Sequence, residues 1–162
     1  MHLAQMNIAT ALVDLDHPQM ADFMNNLDRV NALAEAAPGF DWRLKGEGNN
    51  ATDVRVTSDA RFIVNMSVWQ SAEALFDFVY RSDHRAVMVR RREWFEKPDG
   101  PYQVLWWVNE GSRPTTEEGL ARLRHYAEHG PTPYAFGFQR IFPESEAGPL
   151  DLRPEAHCVG WT

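Results

Sequence analysis

Residues 62–69 read F-I-V-N-M-S-V-W, with Phe62, Val64, Met66 and Val68 alternating against Ile63, Asn65, Ser67 and Trp69. A period of two fits a strand with one apolar and one mixed face, and does not fit a helix. The start of the chain repeats the pattern: between His2 and Leu12, Ala4, Met6 and Ile8 alternate with Leu3, Gln5, Asn7 and Ala9. Each stretch is followed by a helix-start signal, and this repetition constrains the fold more than any other feature.

After the first stretch, Asp16 is placed to accept from the backbone N–H of Gln19, with Pro18 in the first turn where its missing donor costs nothing. Met20, Phe23, Met24, Leu27, Val30 and Leu33 then recur at helical spacing until Pro38 and Gly39. After the second stretch, Ser71 is a cap and Glu73 suits the positive end of the helix dipole. That helix is expected to reach about Glu96, with Ser82 or Asp83 available to re-cap it, and Pro98, Gly100 and Pro101 to stop it. Phe40–Leu44 is a short candidate strand, Lys45–Thr52 a polar loop, and Tyr102–Val108 a strand rich in aromatic and β-branched residues.

The resulting β-α-β-β-α-β order predicts an α+β, ferredoxin-like fold, with two helices on one face of a four-stranded antiparallel sheet. A capping box at Thr115 and Glu118 opens a further helix to His129, and the breakers Gly130, Pro131 and Pro133 precede a candidate strand at Ala135–Phe142. The expected organisation is a core over 1–112, a helix-and-strand extension over 113–142 and an irregular arm over 143–162.

At 162 residues the chain fits one domain. Its net charge of −7 argues against nucleic-acid binding, which needs a concentrated basic surface. The single cysteine, Cys158, makes no internal disulfide, and no apolar run approaches the roughly 20 residues of a membrane span. No signal peptide is recognisable, so cytoplasmic location is expected.

If the two core helices cover the apolar face, the other face carries Gln5, Asn7, Asn65, Ser67 and Trp69, with Gln103 and Trp107 from the last strand. Buried amides and hydroxyls need partners, so that face suggests a ligand cavity or a second subunit. On the following helix Phe76, Tyr80, Val87 and Trp94 share a stripe, and Leu75, Val79, Ala86 and Val89 form a second apolar side. His84 and Arg91 lie two turns apart on one side, placed to grip an anionic or enolic group, with the histidine able to move a proton near neutral pH. The run Arg90–Arg92 fans out around a helix and forms no single surface. His125–His129 matches H-x-x-E-H, a zinc-peptidase pattern, but sits in the last turn of a helix without an evident third ligand, and no metal is assigned to it.

The phrases HLAQMNIA, NMSVWQSAEALFDFVYRSDHR, RRREWFEKPDGPYQVLWWV and HGPTPYAFGF, spread over residues 2–142, resemble a bacterial family known only as domain of unknown function 3291. The resemblance implies membership of the dimeric α+β barrel superfamily, which includes antibiotic-biosynthesis-type monooxygenases and haem-degrading enzymes. It implies a homodimer whose sheets face each other, with the uncovered face lining the barrel. The cofactor-independent oxygenase branch holds substrate anions among amides and tryptophans, for which Asn7, Asn65, Trp107 and Arg91 are the counterparts here. The haem-degrading branch uses a first-strand asparagine, a tryptophan and a helix histidine; Asn7 matches the first, and the position matching the iron ligand is Met88 rather than His84.

The expectation is a small-molecule-binding protein resembling monooxygenases that need no cofactor. Its catalytic candidates are His84, Arg91 and Asn7, and its substrate-binding candidates Gln5, Asn65, Ser67, Trp69 and Trp107. A non-catalytic ligand-binding module and a haem protein are the alternatives.

Overall fold

The computed structural model describes residues 1–147; Cys158 and most of the expected arm lie outside the described residues. Four strands form one antiparallel sheet: β1 (His2–Thr10), β2 (Phe40–Arg43), β3 (Phe62–Trp69) and β4 (Gln103–Val108). Their order, β2-β3-β1-β4, is the ferredoxin-like arrangement expected of the β-α-β-β-α-β sequence. Register sets Met6 opposite Met66, Gln5 opposite Ser67 and Asn7 opposite Asn65, and on the other side Asn7 opposite Gln103.

Helix α1 (Ala21–Ala36) follows a 3₁₀ turn, Pro18–Met20. The cap of that turn is His17, whose Nδ1 accepts from the backbone N–H of Gln19 at 3.0 Å, so the role expected of Asp16 belongs to its neighbour. Helix α2 (Ala72–Arg81) starts at Ser71 as expected, the hydroxyl accepting from the backbone N–H of Ala74 at 3.1 Å.

The long helix expected to reach Glu96 is broken. Ser82 is extended, its hydroxyl donating to the Phe78 carbonyl and accepting from the backbone N–H of His84, which offers the chain an alternative to the helix ladder. A short α3 (His84–Val89) and a 3₁₀ turn, Arg91–Glu93, follow. The break splits both apolar stripes: Leu75, Val79 and Trp94 are buried, whereas Phe76 and Tyr80 are exposed and Val89 is 74% exposed.

Which helices cover which face is the main correction. Helix α1 and helix α2 pack on the mixed face, where Leu3, Trp69 and Leu105 meet Ala34, Leu75, Phe78 and Val79. The apolar face, bearing Ala4, Met6, Val64, Met66, Val68, Val104 and Trp106, is sealed by α4 (Thr116–His129) through Leu120, Leu123 and Tyr126. Gly119 makes this possible, since a Cβ there would run into the Met6 side chain. Arg122, 4% exposed, pins α4: its guanidinium pairs with Glu118 at 2.9 Å, donates to the Tyr134 carbonyl at 2.6 Å and lies over the Trp106 ring.

The segment expected as a strand at Ala135–Phe142 is irregular. It touches the sheet by one bridge, in which Leu105 and Phe136 exchange backbone hydrogen bonds of 2.7 and 3.0 Å. Gly137 and Arg140 then turn the chain back on itself, which ends the pairing. Among the described residues no helix is long and apolar enough to cross a membrane.

Candidate functional site

The mixed face does not close completely against its helices. Between β1, β3, α1 and α3 lies a cleft with two lobes, of about 160 and about 250 Å³, that share Asn7, Asn31, Arg43, Asn65, His84 and Arg91 in their walls. The period-two pattern brings the polar groups here, because odd-numbered residues from 3 to 9 and from 63 to 69 point to this side. Gln5, Ser67, Trp69 and Gln103 line the larger lobe, so seven of the eight proposed site residues meet in one cleft. Trp107 is the exception. Its indole N–H donates to the Phe142 carbonyl at 2.7 Å and its ring packs beside Phe136, which ties it to the C-terminal segment instead.

The amides are oriented by a short hydrogen-bond chain. Gln5 Nε2 donates to Asn65 Oδ1 at 2.8 Å and to Ser67 Oγ at 3.0 Å, and Trp69 Nε1 donates to the same hydroxyl at 2.8 Å. With both acceptors engaged, Asn65 keeps its NH₂ and Ser67 its O–H free to donate. Gln5, Ser67 and Trp69 are 6%, 7% and 1% exposed, so this scaffold is buried, while Asn65 at its end is exposed. Asn7 Oδ1 is buried and has no hydrogen-bond partner among the described residues. Such an atom carries a desolvation cost of about 1–3 kcal/mol that a bound donor would relieve.

His84 opens α3 immediately after the Ser82 break, and its ring tilts against Phe78 at 4.9 Å. Burial pushes its imidazole below the ordinary histidine range, with the Val79 carbonyl pulling weakly the other way, and Nδ1 has no hydrogen-bond partner among the described residues. At neutral pH the ring is therefore uncharged and able to accept a proton. Arg91 stacks on Tyr102, 4.2 Å from guanidinium carbon to ring centroid, and more loosely on Phe95, and makes no ion pair with a described residue. No aspartate or glutamate among the described residues lines either lobe. In a protein of net charge −7, a carboxylate-free cleft holding Arg43 and Arg91 is a local reversal of sign.

Two contributors escaped the sequence reading. Asn31 was hidden in the apolar stripe of α1, where an amide one turn after Leu27 was the available signal. Arg43 ends a strand too short to show an alternation, and a register shift between Phe40 and Trp42 resets its side. The H-x-x-E-H motif is spent on packing: His125 Nε2 lies 3.1 Å from Thr132 Oγ1 and its ring packs on Tyr134. Among the described residues no three His, Cys, Asp or Glu side chains are grouped to hold a metal ion.

Haem, the alternative cofactor, would find His84 as the one imidazole among the described cleft residues, with Met88 also in the wall of the larger lobe.

Fold and cleft together define a ferredoxin-like α+β protein with an amide- and arginine-lined pocket between its sheet and helices. The family model described as domain of unknown function DUF3291 matches residues 2–150, and the chain belongs to that family. Among solved structures it is similar to Rv0793 from Mycobacterium tuberculosis, at 14% identity and a TM-score of 0.50 over 69% of this chain and 100% of that one. It is also similar to SnoaB, a cofactor-independent oxygenase from Streptomyces nogalater, at 17% identity and a TM-score of 0.46 over 72% and 98% of the two chains. A third, NE2512 from Nitrosomonas europaea, a protein of unknown function, gives 15% identity and a TM-score of 0.47 over 70% and 95%. At these identities the likeness is one of fold. No curated protein matches the sequence.

Proposed function

We propose that the cleft binds a small, partly aromatic molecule through an ionised hydroxyl or enol oxygen, and that the protein is a monooxygenase-like enzyme acting on it without a cofactor. One observation carries this reading: aromatic walls enclose hydrogen-bond donors, a neutral imidazole and an arginine free of ion pairs among the described residues, and no described carboxylate. His84 takes the proton of the hydroxyl or enol. The NH₂ groups of Asn65 and Asn7 donate to the resulting oxyanion, and Arg91 balances its charge.

An enolate held this way is electron-rich enough to reduce dioxygen. For an activated methylene, one oxygen atom becomes the carbonyl and the other leaves as water with the two methylene hydrogens. Carbon gives up the four electrons that dioxygen takes, so no outside reductant is needed. Reactions of this kind belong to secondary metabolism or detoxification of aromatic compounds. A homodimer is part of the same proposal, and exposed apolar side chains on α2 and α3, among them Phe76, Met88 and Val89, are available for it.

The test uses 2-naphthol, whose ionisation is read by fluorescence, and anthrone, whose enol is a hydroxyarene, in an oxygen electrode. Bound naphtholate and oxygen uptake that falls in Asn65→Ala and His84→Ala support the reading. Binding without oxygen uptake leaves a ligand carrier, and absence of binding to either probe removes the reading altogether.

A further inference from the structure

We infer that the ligand carries a second anionic group, a carboxylate held by Arg43 at the boundary of the two lobes, so that the substrate class is a hydroxyaryl acid rather than a neutral phenol. The inference rests on the oxyanion reading above and adds a second point of attachment.

Arg43 stands in register with Ser67, and Ser67 with Gln5, so the three form one transverse row across the mixed face. Asn65 and Asn7 form the next row on the same side. One strand spacing and two residues separate Arg43 from Asn65, roughly 8 Å between their Cα atoms. That span suits two substituents on one fused aromatic system.

Arg43 is paired from one side only. Its Nε donates to Glu35 Oε1 at 2.8 Å and its Nη2 to Asn49 Oδ1 at 3.0 Å, while Nη1 makes no hydrogen bond to a described residue. The same Glu35 oxygen lies 3.4 Å from the half-exposed Lys45 Nζ, so one carboxylate is shared between two cations. Asp28 reaches the guanidinium only through Asn49, whose Nδ2 donates to it at 3.0 Å. Glu35 is half-exposed, so solvent weakens its hold, whereas Arg43 is only 6% exposed. The pair with Glu35 offsets part of the cost of burying this cation, and no described carboxylate reaches it from inside the cleft. Around it the smaller lobe offers the NH₂ groups of Asn31 and Asn50, which donate to no described residue and suit the remaining lone pairs of a carboxylate.

The experiment compares 6-hydroxy-2-naphthoate with its methyl ester, which keeps size and hydroxyl but removes the charge. The wild-type protein should bind the acid at least tenfold more tightly. In Arg43→Gln that preference should fall to near unity, with the affinity for the ester changed less than threefold. Arg43→Lys, which keeps the charge, should retain most of the preference and decides the matter if the glutamine variant does not fold. Equal wild-type affinity for acid and ester, or an undiminished preference in a folded Arg43→Gln, overturns the inference while ester binding leaves the oxyanion reading standing. If neither ligand binds, both fall.

Discussion

Asn7 and Asn65 stand directly opposite each other on β1 and β3, yet their side-chain amides form no hydrogen bond to one another. Gln5 donates to Asn65 Oδ1, and Asn7 Oδ1 is buried without a partner among the described residues. A facing amide pair would otherwise satisfy itself and present nothing to a ligand. The intervention of Gln5 turns two adjacent side chains into a binding edge.

Removing Gln5 should therefore cost stability as well as binding. Gln5→Ala strips a donor from both Asn65 Oδ1 and Ser67 Oγ in a buried setting. Urea unfolding should register a loss of about 1–3 kcal/mol.

Asn65→Ala should behave differently, because that side chain is exposed at the end of the chain of bonds. The unfolding midpoint should fall less than in Gln5→Ala, because the buried Gln5 Nε2 keeps Ser67 Oγ as an acceptor. Affinity for bound naphtholate should drop roughly ten- to hundredfold, the worth of one hydrogen bond to a charged acceptor.

The pH dependence follows from His84, whose folded-state pKa is depressed by burial. Above the unfolded value, near 6.5, both states are neutral there and the folded protein keeps its full stability. As pH falls below that value the unfolded chain binds the proton first, and stability is lost until the folded pKa is reached. His84→Gln should flatten this part of the stability profile below about pH 6.5. Oxygen uptake should likewise keep its rate to a pH below the ordinary imidazole range before declining.

Trp107→Phe separates packing from binding. Losing the hydrogen bond to the Phe142 carbonyl should cost on the order of 1 kcal/mol. Naphthol affinity should be unchanged, and a marked loss would return Trp107 to the site.

Hemin added to the purified protein should give no specific Soret shift. A stoichiometric shift that disappears in His84→Ala would mean that the cleft opens beyond the volume described.

Much of the fold was legible because the strand alternations at Gln5–Asn7 and Asn65–Trp69 state which residues share a side. They do not state which side the crossover helices will choose. Both faces here are apolar enough to be buried, and α4 was as good a cover for Met6 and Met66 as α1 or α2. The candidate residues stay together through this inversion because they share a face whichever helices lie on it. The break at Ser82 was harder to read: a serine within an otherwise helical stretch announces only that its hydroxyl has the option of competing for the backbone. Arg43 could not be placed at all, since its side depends on an irregularity in pairing that no local pattern encodes.

The cleft is walled by strands and helices of a single chain. If copies associate through a face that leaves the mouth of the cleft open, each keeps its own site and borrows nothing from its neighbour. Mixing active and inactivated subunits should then dilute turnover in strict proportion to the active fraction, with neither rescue nor poisoning between partners. Inactivating substitutions in two different copies could not complement one another.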